Sequence, residues 1–244
     1  MAKKILIVLA VLLVLACGAL YYAYNKIDLI AHYAIEKYGP DIAGVSVKVK
    51  DVELSPADGK GALKGVEIGS PKGFTAPRTA RLGEIRVWLD PATVTQGVVV
   101  IHEVSIEAPE INYEKGSGSA TNLEAIQKNI EGYLQRTGSP TDDKPGNAKA
   151  PGRRYVIEKL SIRNARVTMT NPGLKGQGIT FTLPDIQLAN LGRLPNGITA
   201  GQAANIVTNA LISRIAQRVL TNIDLLRKGG KEGAIDALRG LFNK

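Results

Sequence analysis

The stretch IHEVSIEAPEINYE, residues 101–114, decides how the middle of this chain folds, because the later stretch IEKLSIRNARVTMT, residues 157–170, repeats it without gaps. Each copy has two segments in which apolar and polar residues alternate, with a break of four residues between them. The apolar positions of the two copies coincide at Ile101 and Ile157, Val104 and Leu160, Ile106 and Ile162, Ile111 and Val167, and Tyr113 and Met169. Such alternation predicts β-strands with one buried face.

The repeat predicts a β-rich α+β fold built on an elongated antiparallel sheet. We expect one face of this sheet to be apolar and the other to lie in water, with the polar side represented by Ser105, Glu107, Ser161 and Arg163. Pro109 must lie at a break or an edge, because proline cannot donate to a strand ladder. A chance likeness between two amphipathic segments is the alternative, and the pattern alone leaves it open.

Alternation continues on both sides of the repeat, so the β-rich body is predicted to cover residues 41–198. Val47 and Val49 alternate with polar residues, and Val52 and Leu54 resume the pattern after a shift of one residue. Such a shift predicts a bulge or a bend. The further predicted strands, most of them bounded by Gly, Pro, Ser or Asn, are 62–68, 84–90, 97–107, 111–114, 155–163, 165–170, 179–183 and 186–191.

Residues 1–25 predict a membrane anchor. They carry no charge between Lys4 and the lysine at position 26, and about 20 apolar residues in a helix are enough to span a bilayer. Lys3 and Lys4 precede the apolar run, and Tyr21 and Tyr22 follow it, where an interfacial aromatic belt would lie. We therefore expect an uncleaved single-pass helix with its N-terminus inside and the rest of the chain exported.

Two other readings of the same segment remain open. Ala16-Cys17-Gly18 offers a small-x-small site at which a secretory signal peptide would be cleaved. Val14-Leu15-Ala16-Cys17 resembles an imperfect lipobox, in which Cys17 would be lipidated. Both readings also place the rest of the chain outside the cytoplasm.

Residues 26–40 predict a juxtamembrane helix that continues from the anchor. Ile30, Ile35 and Tyr38 belong to its apolar stripe, which recurs at spacings of three and four residues. Gly39 and Pro40 are the expected stop signal.

Two further regions predict helices. In residues 121–136, Thr121 and Glu124 have the spacing of a capping box, which predicts a helix inserted into the β-rich body. Residues 137–152 hold prolines and glycines but no apolar pattern, and predict a linker. Residues 199–244 predict amphipathic C-terminal helices, a long one over 199–226 and a short one over 232–242.

Composition excludes several classes of function. Cys17 is the only cysteine of the 244 residues, so no disulfide within the chain and no cysteine-based metal site is predicted. His32 and His102 have no catalytic or ligand partner at recognisable spacing, so we expect no catalytic residue, no metal and no cofactor. The net charge of +9 favours anionic lipid headgroups for an anchored domain, and a generally solvated basic surface is the alternative that the charge leaves open. Aromatic residues, at 5%, are too few for nucleic-acid stacking.

Four stretches carry a resemblance to a known family: AIEKYG at 34–39, GKGALKGVEIG at 59–69, SPKGF at 70–74 and VSIEAPEINY at 104–113. Together they resemble the AsmA-like proteins of the AsmA/TamB group of bacterial envelope proteins. The resemblance implies a bacterial inner-membrane anchor with a cytoplasmic N-terminus, a periplasmic β-rich body curved into a groove, and a role in outer-membrane biogenesis or phospholipid traffic. The body of about 200 residues is too short to bridge the periplasm alone.

Two hypotheses follow for a non-enzymatic protein. In the first, the apolar sheet face is a groove that binds acyl chains, and the candidate residues are Val47, Val49, Ile85, Val87, Val104, Ile106, Leu160, Ile162 and Phe181. Arg214 and Arg218, which we expect opposite the aliphatic side of the 199–226 helix, are candidates for headgroup contacts. In the second, that face is an ordinary core and the protein is a scaffold or assembly factor. The expected partners are membrane lipids and other envelope proteins, not nucleic acid, and no oligomeric state is predicted.

Overall fold

The structure, a computed structural model, describes residues 27–116, 120–137, 153–170 and 178–228, with side chains as far as residue 221. These ranges contain three α-helices, ten β-strands and one short 3-10 turn. The helices are α1 (Ile27–Ala43), α2 (Asn122–Thr137) and α3 (Ala200–Lys228), and the turn is Pro91–Thr93. The strands are β1 (Val47–Lys48), β2 (Asp51–Ser55), β3 (Lys60–Gly69), β4 (Arg78–Leu89), β5 (Val98–Glu107), β6 (Glu110–Glu114), β7 (Arg154–Arg163), β8 (Arg166–Thr170), β9 (Ile179–Thr182) and β10 (Ile186–Leu191).

The ten strands belong to one sheet, which curls into an open half-barrel. The long strand β4 pairs with β3 along one edge and with β5 and β6 along the other. Beyond β5 and β6 come β7 and β8, and then β10 and β9. β1 and β2 pair with β3 and form one end of the sheet, while β9 and β10 form the opposite end.

The two copies of the repeat lie side by side, but they are parallel, so the antiparallel prediction was wrong for them. β5 pairs with β7 and β6 with β8, in a register that joins Ile106 to Ile162 and Tyr113 to Met169. This register is the gap-free alignment of the two sequence copies. Parallel neighbours need a long crossover connection, and the segment between the copies, which contains α2, provides it. The sheet is therefore mixed.

A single crease crosses the sheet where the paired strands break. Three residues along this crease have left-handed backbone: Gly65 in β3 (φ 62°), Ala108 between β5 and β6 (φ 47°), and Asn164 between β7 and β8 (φ 54°). Backbone hydrogen bonds hold the breaks together, from Ala108 N to the Arg163 carbonyl (2.9 Å) and from Arg166 N to the Pro109 carbonyl (2.8 Å). Pro109 therefore lies at a break, as predicted.

The crease continues into the first two strands. The predicted phase shift after Val49 is the break between β1, which ends at Lys48, and β2, which begins at Asp51. Lys50 N donates to the Lys64 carbonyl at this level (3.1 Å). Because each break shifts the side-chain alternation, the apolar residues stay on the same face on both sides of the crease.

The edge formed by β1 and β2 is capped by carboxylates. Asp28 Oδ1 on α1 accepts from Leu54 N (2.8 Å), and Glu36 Oε1 on α1 accepts from Val49 N (3.1 Å). Asp51 Oδ1 accepts from Val52 N (3.0 Å) within the same edge. These backbone donors face away from β3, so α1 satisfies groups that an edge strand otherwise presents to solvent.

All three helices pack against apolar side chains of the sheet. α1 contacts β1 and β2, α2 contacts β6, and α3 contacts both α2 and β10. Three buried clusters result. One lies under α1 around Val52, one joins Val45 to α2, and the largest joins β5 to β10 with α3.

The helix bounds differ from the predicted ones mainly at the end of α1. α1 continues past Pro40 and ends where Gly44 N donates to the Pro40 carbonyl (2.8 Å), with Gly44 at φ 66°. Gly44, rather than Gly39 with Pro40, is thus the stop signal, because glycine adopts this conformation without strain. Ile30 and Tyr38, two members of the predicted apolar stripe, are 55% and 56% exposed.

The capping box of α2 is confirmed, since Thr121 N donates to Glu124 Oε2 (2.8 Å) and Glu124 N to Thr121 Oγ1 (3.3 Å). The predicted anchor 1–25, most of the linker 137–152, and the short helix 232–242 lie outside the described residues. Among the helices that the structure does describe, none combines the length and apolar character needed to cross a bilayer.

Candidate functional site

Two rows of side chains run across six strands on the helix-covered face. Pairing places the members of each row next to one another from β2 through β3, β4, β5 and β7 to β10. The first row is Val52, Leu63, Ile85, Ile106, Ile162 and Ile186. The second row is Leu54, Gly61, Val87, Val104, Leu160 and Leu188. Every member except Gly61 is aliphatic, so the alternation along each strand becomes a continuous apolar surface across the sheet.

Gly61 leaves a notch in the second row, and Leu54 fills it. A Cβ atom at Gly61 would lie 2.7 Å from Leu54 Cδ2. Real Cβ contacts are longer than this, so Leu54 would have to move if Gly61 carried a side chain. At the β2 end of the second row, the side chain of Leu54 therefore fills both its own place and the space above Gly61.

The structure does not gather the nine candidate groove residues into one groove. Val47 and Val49 belong to the cluster under α1. Ile106, Leu160 and Ile162 are buried in the largest cluster, and Phe181 packs against its edge from β9. Ile85, Val87 and Val104 lie between these regions and remain partly exposed.

α3 covers the β7 and β10 side of the apolar face. Its Ile215 and Val219 are 0% and 1% exposed, in the same cluster as Leu160 and Ile162. This part of the face is thus filled by protein. The partly exposed middle of the rows lies between α3 at one end and α1, over β1 and β2, at the other.

Arg214 and Arg218 differ in their surroundings. Arg214 is exposed, and its Nη1 lies 3.5 Å from Gln217 Oε1. Arg218 is partly buried, and its buried Nε has no hydrogen-bond partner among the described residues. Arg214 is thus accessible from solvent, whereas Arg218 is accessible only in part.

The opposite face of the sheet is polar, and its charges match across the two repeat copies. Glu103 Oε1 lies 3.0 Å from Lys159 Nζ, and Glu107 Oε1 lies 3.4 Å from Arg163 Nη1. The partners in each pair occupy equivalent positions of the two copies. Opposite charges at equivalent positions were a readable signal for parallel pairing that the sequence analysis missed.

An open cavity of about 640 Å³ is lined by side chains of this polar face together with Leu54, Gly61 and Val87 of the second row. Trp88, the only tryptophan, lines it and is 48% exposed, with its ring 4.7 Å from the His102 ring. Arg86, Ser105 and Arg163 are among the other lining residues. The cavity thus combines an exposed aromatic ring with side chains of both charges.

Ser161 is a further difference from the sequence prediction. It lies on the polar face beside Ser105, but it is 0% exposed rather than in water. Its hydroxyl is buried without a hydrogen-bond partner among the described residues. A buried polar group in this state costs stability.

A buried carboxylate, Glu114, ties the loop before β4 to β6. Its two oxygens accept from Thr75 N (2.7 Å), Thr75 Oγ1 (2.7 Å) and Ala76 N (2.8 Å). Burial by itself raises the pKa of Glu114, but these three hydrogen bonds outweigh burial and lower the pKa below its ordinary value. Burial raises the pKa of its neighbour Tyr113. The hydrogen bonds give Glu114 a structural role.

The two histidines lie next to carboxylates, but neither belongs to a larger group of ligands. His32 Nε2 is 3.5 Å from Glu36, and His102 Nδ1 is 3.0 Å from Glu158. Within the described ranges, no set of three or more His, Cys, Asp or Glu side chains is placed to hold a metal ion.

The fold that these contacts define is a curled, open half-barrel with helices on its apolar face. No protein-family model matches the chain, and no curated protein sequence matches it either. The resemblance to AsmA-like proteins therefore stays a prediction from the sequence.

Proposed function

We propose that this chain is a membrane-anchored, non-enzymatic protein of the bacterial envelope that holds phospholipid acyl chains against its sheet. The supporting observation is the partial exposure of Ile85, Val87 and Val104, neighbouring aliphatic residues of the two rows that lie between the parts of the face next to α1 and α3. The site is the open strip between α1 and α3. In this proposal, the AsmA-like resemblance supplies the periplasmic location and the role in outer-membrane biogenesis.

The physical basis of such a site is burial of methylene groups. Each methylene moved from water to an apolar surface contributes about 0.8 kcal/mol, so a few contacted methylenes give measurable binding without any polar contact. Ile85, Val87 and Val104 belong to adjacent strands β4 and β5. An acyl chain lying along the rows would contact all three and be flanked by the two helices.

The test is to measure phospholipid that co-purifies with the full chain by mass spectrometry. Val87→Gln with Val104→Gln should reduce bound phospholipid about tenfold, because losing about 1.4 kcal/mol of burial is a factor of ten. Ser105→Gln, on the same strand but the opposite face, is the matched control and should retain the lipid. Absence of phospholipid from the wild-type protein, or equal loss in the control, would refute the acyl-chain site.

Membrane anchorage and export are tested separately. A C-terminal alkaline phosphatase fusion should be active, and the intact protein should resist carbonate extraction, because Lys3 and Lys4 precede an uncleaved apolar run. An inactive fusion would contradict the envelope location.

A second candidate function is a scaffold whose apolar face is ordinary core. The complete burial of Ile215 and Val219 over the β7 side of the sheet favours it. A scaffold of this kind would carry no phospholipid, and Val87→Gln with Val104→Gln would then change stability alone.

A further inference from the structure

The exposed apolar residues of the described chain concentrate on α1. Of seven large hydrophobic side chains that are exposed in the described ranges, four belong to this helix. They are Leu29 (64%), Ile30 (55%), Tyr33 (63%) and Tyr38 (56%). A single exposed leucine needs no explanation, but four on a helix of 17 residues form a surface patch.

The patch faces away from the sheet. Leu29, Tyr33 and Lys37 follow one another at intervals of four residues, which places them on one side of a helix. Ala31 and Ile35 pack against the cluster around Val52 on the other side. The patch is therefore separate from the core contacts that hold α1 in place.

Lys37 adds a cation to the patch. Its Nζ lies 5.3 Å from the centre of the Tyr33 ring and 5.6 Å from that of the Tyr38 ring. Tyrosine rings next to a lysine, above exposed aliphatic residues, are typical of side chains at the boundary between acyl chains and headgroups. There the rings sit at headgroup level, and the lysine reaches the phosphates.

The position of α1 in the chain identifies the membrane as the surface that covers this patch. α1 begins at Ile27, directly after the apolar run that ends near Tyr24. If that run is anchored in a bilayer, the first turns of α1 cannot be far from the headgroups. A patch at this place meets lipid before it meets any other partner.

We propose that α1 lies in the plane of the membrane surface, with Leu29, Ile30 and Tyr33 in the acyl boundary and Lys37 at anionic headgroups. This inference rests on the membrane anchorage proposed above and goes beyond it. A helix that simply continued from the span would stand out of the membrane, whereas an interfacial helix lies flat with its apolar side immersed by about 5–10 Å.

An interfacial α1 fixes the orientation of the whole sheet. Asp28 and Glu36 bond to the backbone of Leu54 and Val49, and Asn129 Nδ2 of α2 donates to the Ala43 carbonyl at the far end of α1 (3.2 Å). The β2 edge would then lie next to the bilayer. Both aliphatic rows begin at this edge, with Val52 and Leu54, so the rows would lead from the edge next to the membrane toward the proposed acyl-chain strip.

The test uses the full chain carrying Cys17→Ser and one new cysteine, labelled with an environment-sensitive fluorophore, in vesicles of phosphatidylethanolamine and phosphatidylglycerol at 3:1. Labels at Leu29→Cys and Tyr33→Cys should emit at shorter wavelength and be quenched by brominated acyl chains. A label at Lys128→Cys, which is exposed on α2, is the matched control and should behave as it does in water.

Four outcomes are distinguishable. Quenching at positions 29 and 33 but not 128 supports the proposal. Water-like emission at all three positions, in protein that resists carbonate extraction, overturns it while leaving the anchorage intact. A blue shift at 29 and 33 without quenching by brominated lipid also overturns it, because the patch is then covered by protein. If carbonate extracts the protein from the membrane, the anchorage itself is refuted.

Discussion

Replacing Ile162 and its neighbour Ser161 by alanine, one at a time, tests which face of the sheet is the core. Ile162 is 2% exposed and sits between Ile106 and Ile186 in the first aliphatic row. Ser161 is 0% exposed on the opposite face, and its hydroxyl has no partner among the described residues. The two residues are adjacent and equally buried, so exposure alone does not distinguish them.

The expected changes in the free energy of unfolding differ in size and in sign. Ile162→Ala removes three carbon groups from a closed cluster, at roughly 0.8 kcal/mol each for transfer, and leaves a cavity that its neighbours fill only in part. We expect a loss of about 3–4 kcal/mol in the free energy of unfolding, within the range for such changes. Ser161→Ala removes an unpaired buried hydroxyl, so we expect no loss and a gain of up to about 1 kcal/mol.

Urea denaturation of the full chain in mild detergent measures both values. Trp88, the only tryptophan, lies on β4 and reports the unfolding of the sheet by fluorescence. Ser105→Ala, on the polar face of the paired strand, is a control expected to change stability by less than about 1 kcal/mol. If Ser161→Ala costs more than Ile162→Ala, the register is shifted by one residue and the assignment of the two faces is wrong.

Three further predictions concern single contacts. Glu114 has a lowered pKa in the folded protein. Its stabilising contribution is therefore present above the ordinary carboxyl pKa of about 4.3 and is lost as the pH falls through the pKa of the folded protein. Glu114→Gln should make the free energy of unfolding less dependent on pH in the acid range. Lys159→Glu should lower the free energy of unfolding by up to about 1 kcal/mol, because it places two carboxylates together. Adding Glu103→Lys should recover that stability, and both effects should be smaller at high salt. Ala108→Gly should stabilise the protein by up to about 1 kcal/mol in the same urea assay, because Ala108 is exposed and its backbone is left-handed. An unchanged or lower stability would mean that this backbone conformation carries no strain.

Much of the sheet could be predicted because alternation reports faces directly. The break after Val49, the proline at the crease, and the side occupied by Ile106 and Ile162 all follow from period-two patterning. The direction of pairing does not, since an amphipathic strand has the same pattern in either direction. The opposite charges at Glu103 and Lys159, with a helix between the two copies, were the available indication of a parallel crossover.

The candidate groove and the first helix were harder to predict for a different reason. Aliphatic residues on one sheet face serve equally well as core, and only the position of Ile215 on α3 shows which part of the face is covered. In α1, Ile30 and Tyr38 fit a helical stripe by spacing, but spacing does not tell which side of the helix meets the sheet. The carboxylates Asp28 and Glu36, by bonding to the edge strand, decide that side.

The carboxylates that cap the β1 and β2 edge also limit how copies of this sheet can associate. Strand addition needs free backbone donors, and those of Val49, Val52 and Leu54 already have side-chain acceptors. Within the described residues, the end of the sheet where a second sheet could join is the other one, formed by β9 and β10. If two copies joined there about a two-fold axis, the β1 and β2 edge of each copy would lie at the outer ends of the joined sheet. Because those edges are capped, the assembly would stop at a pair and would not extend into a fibre.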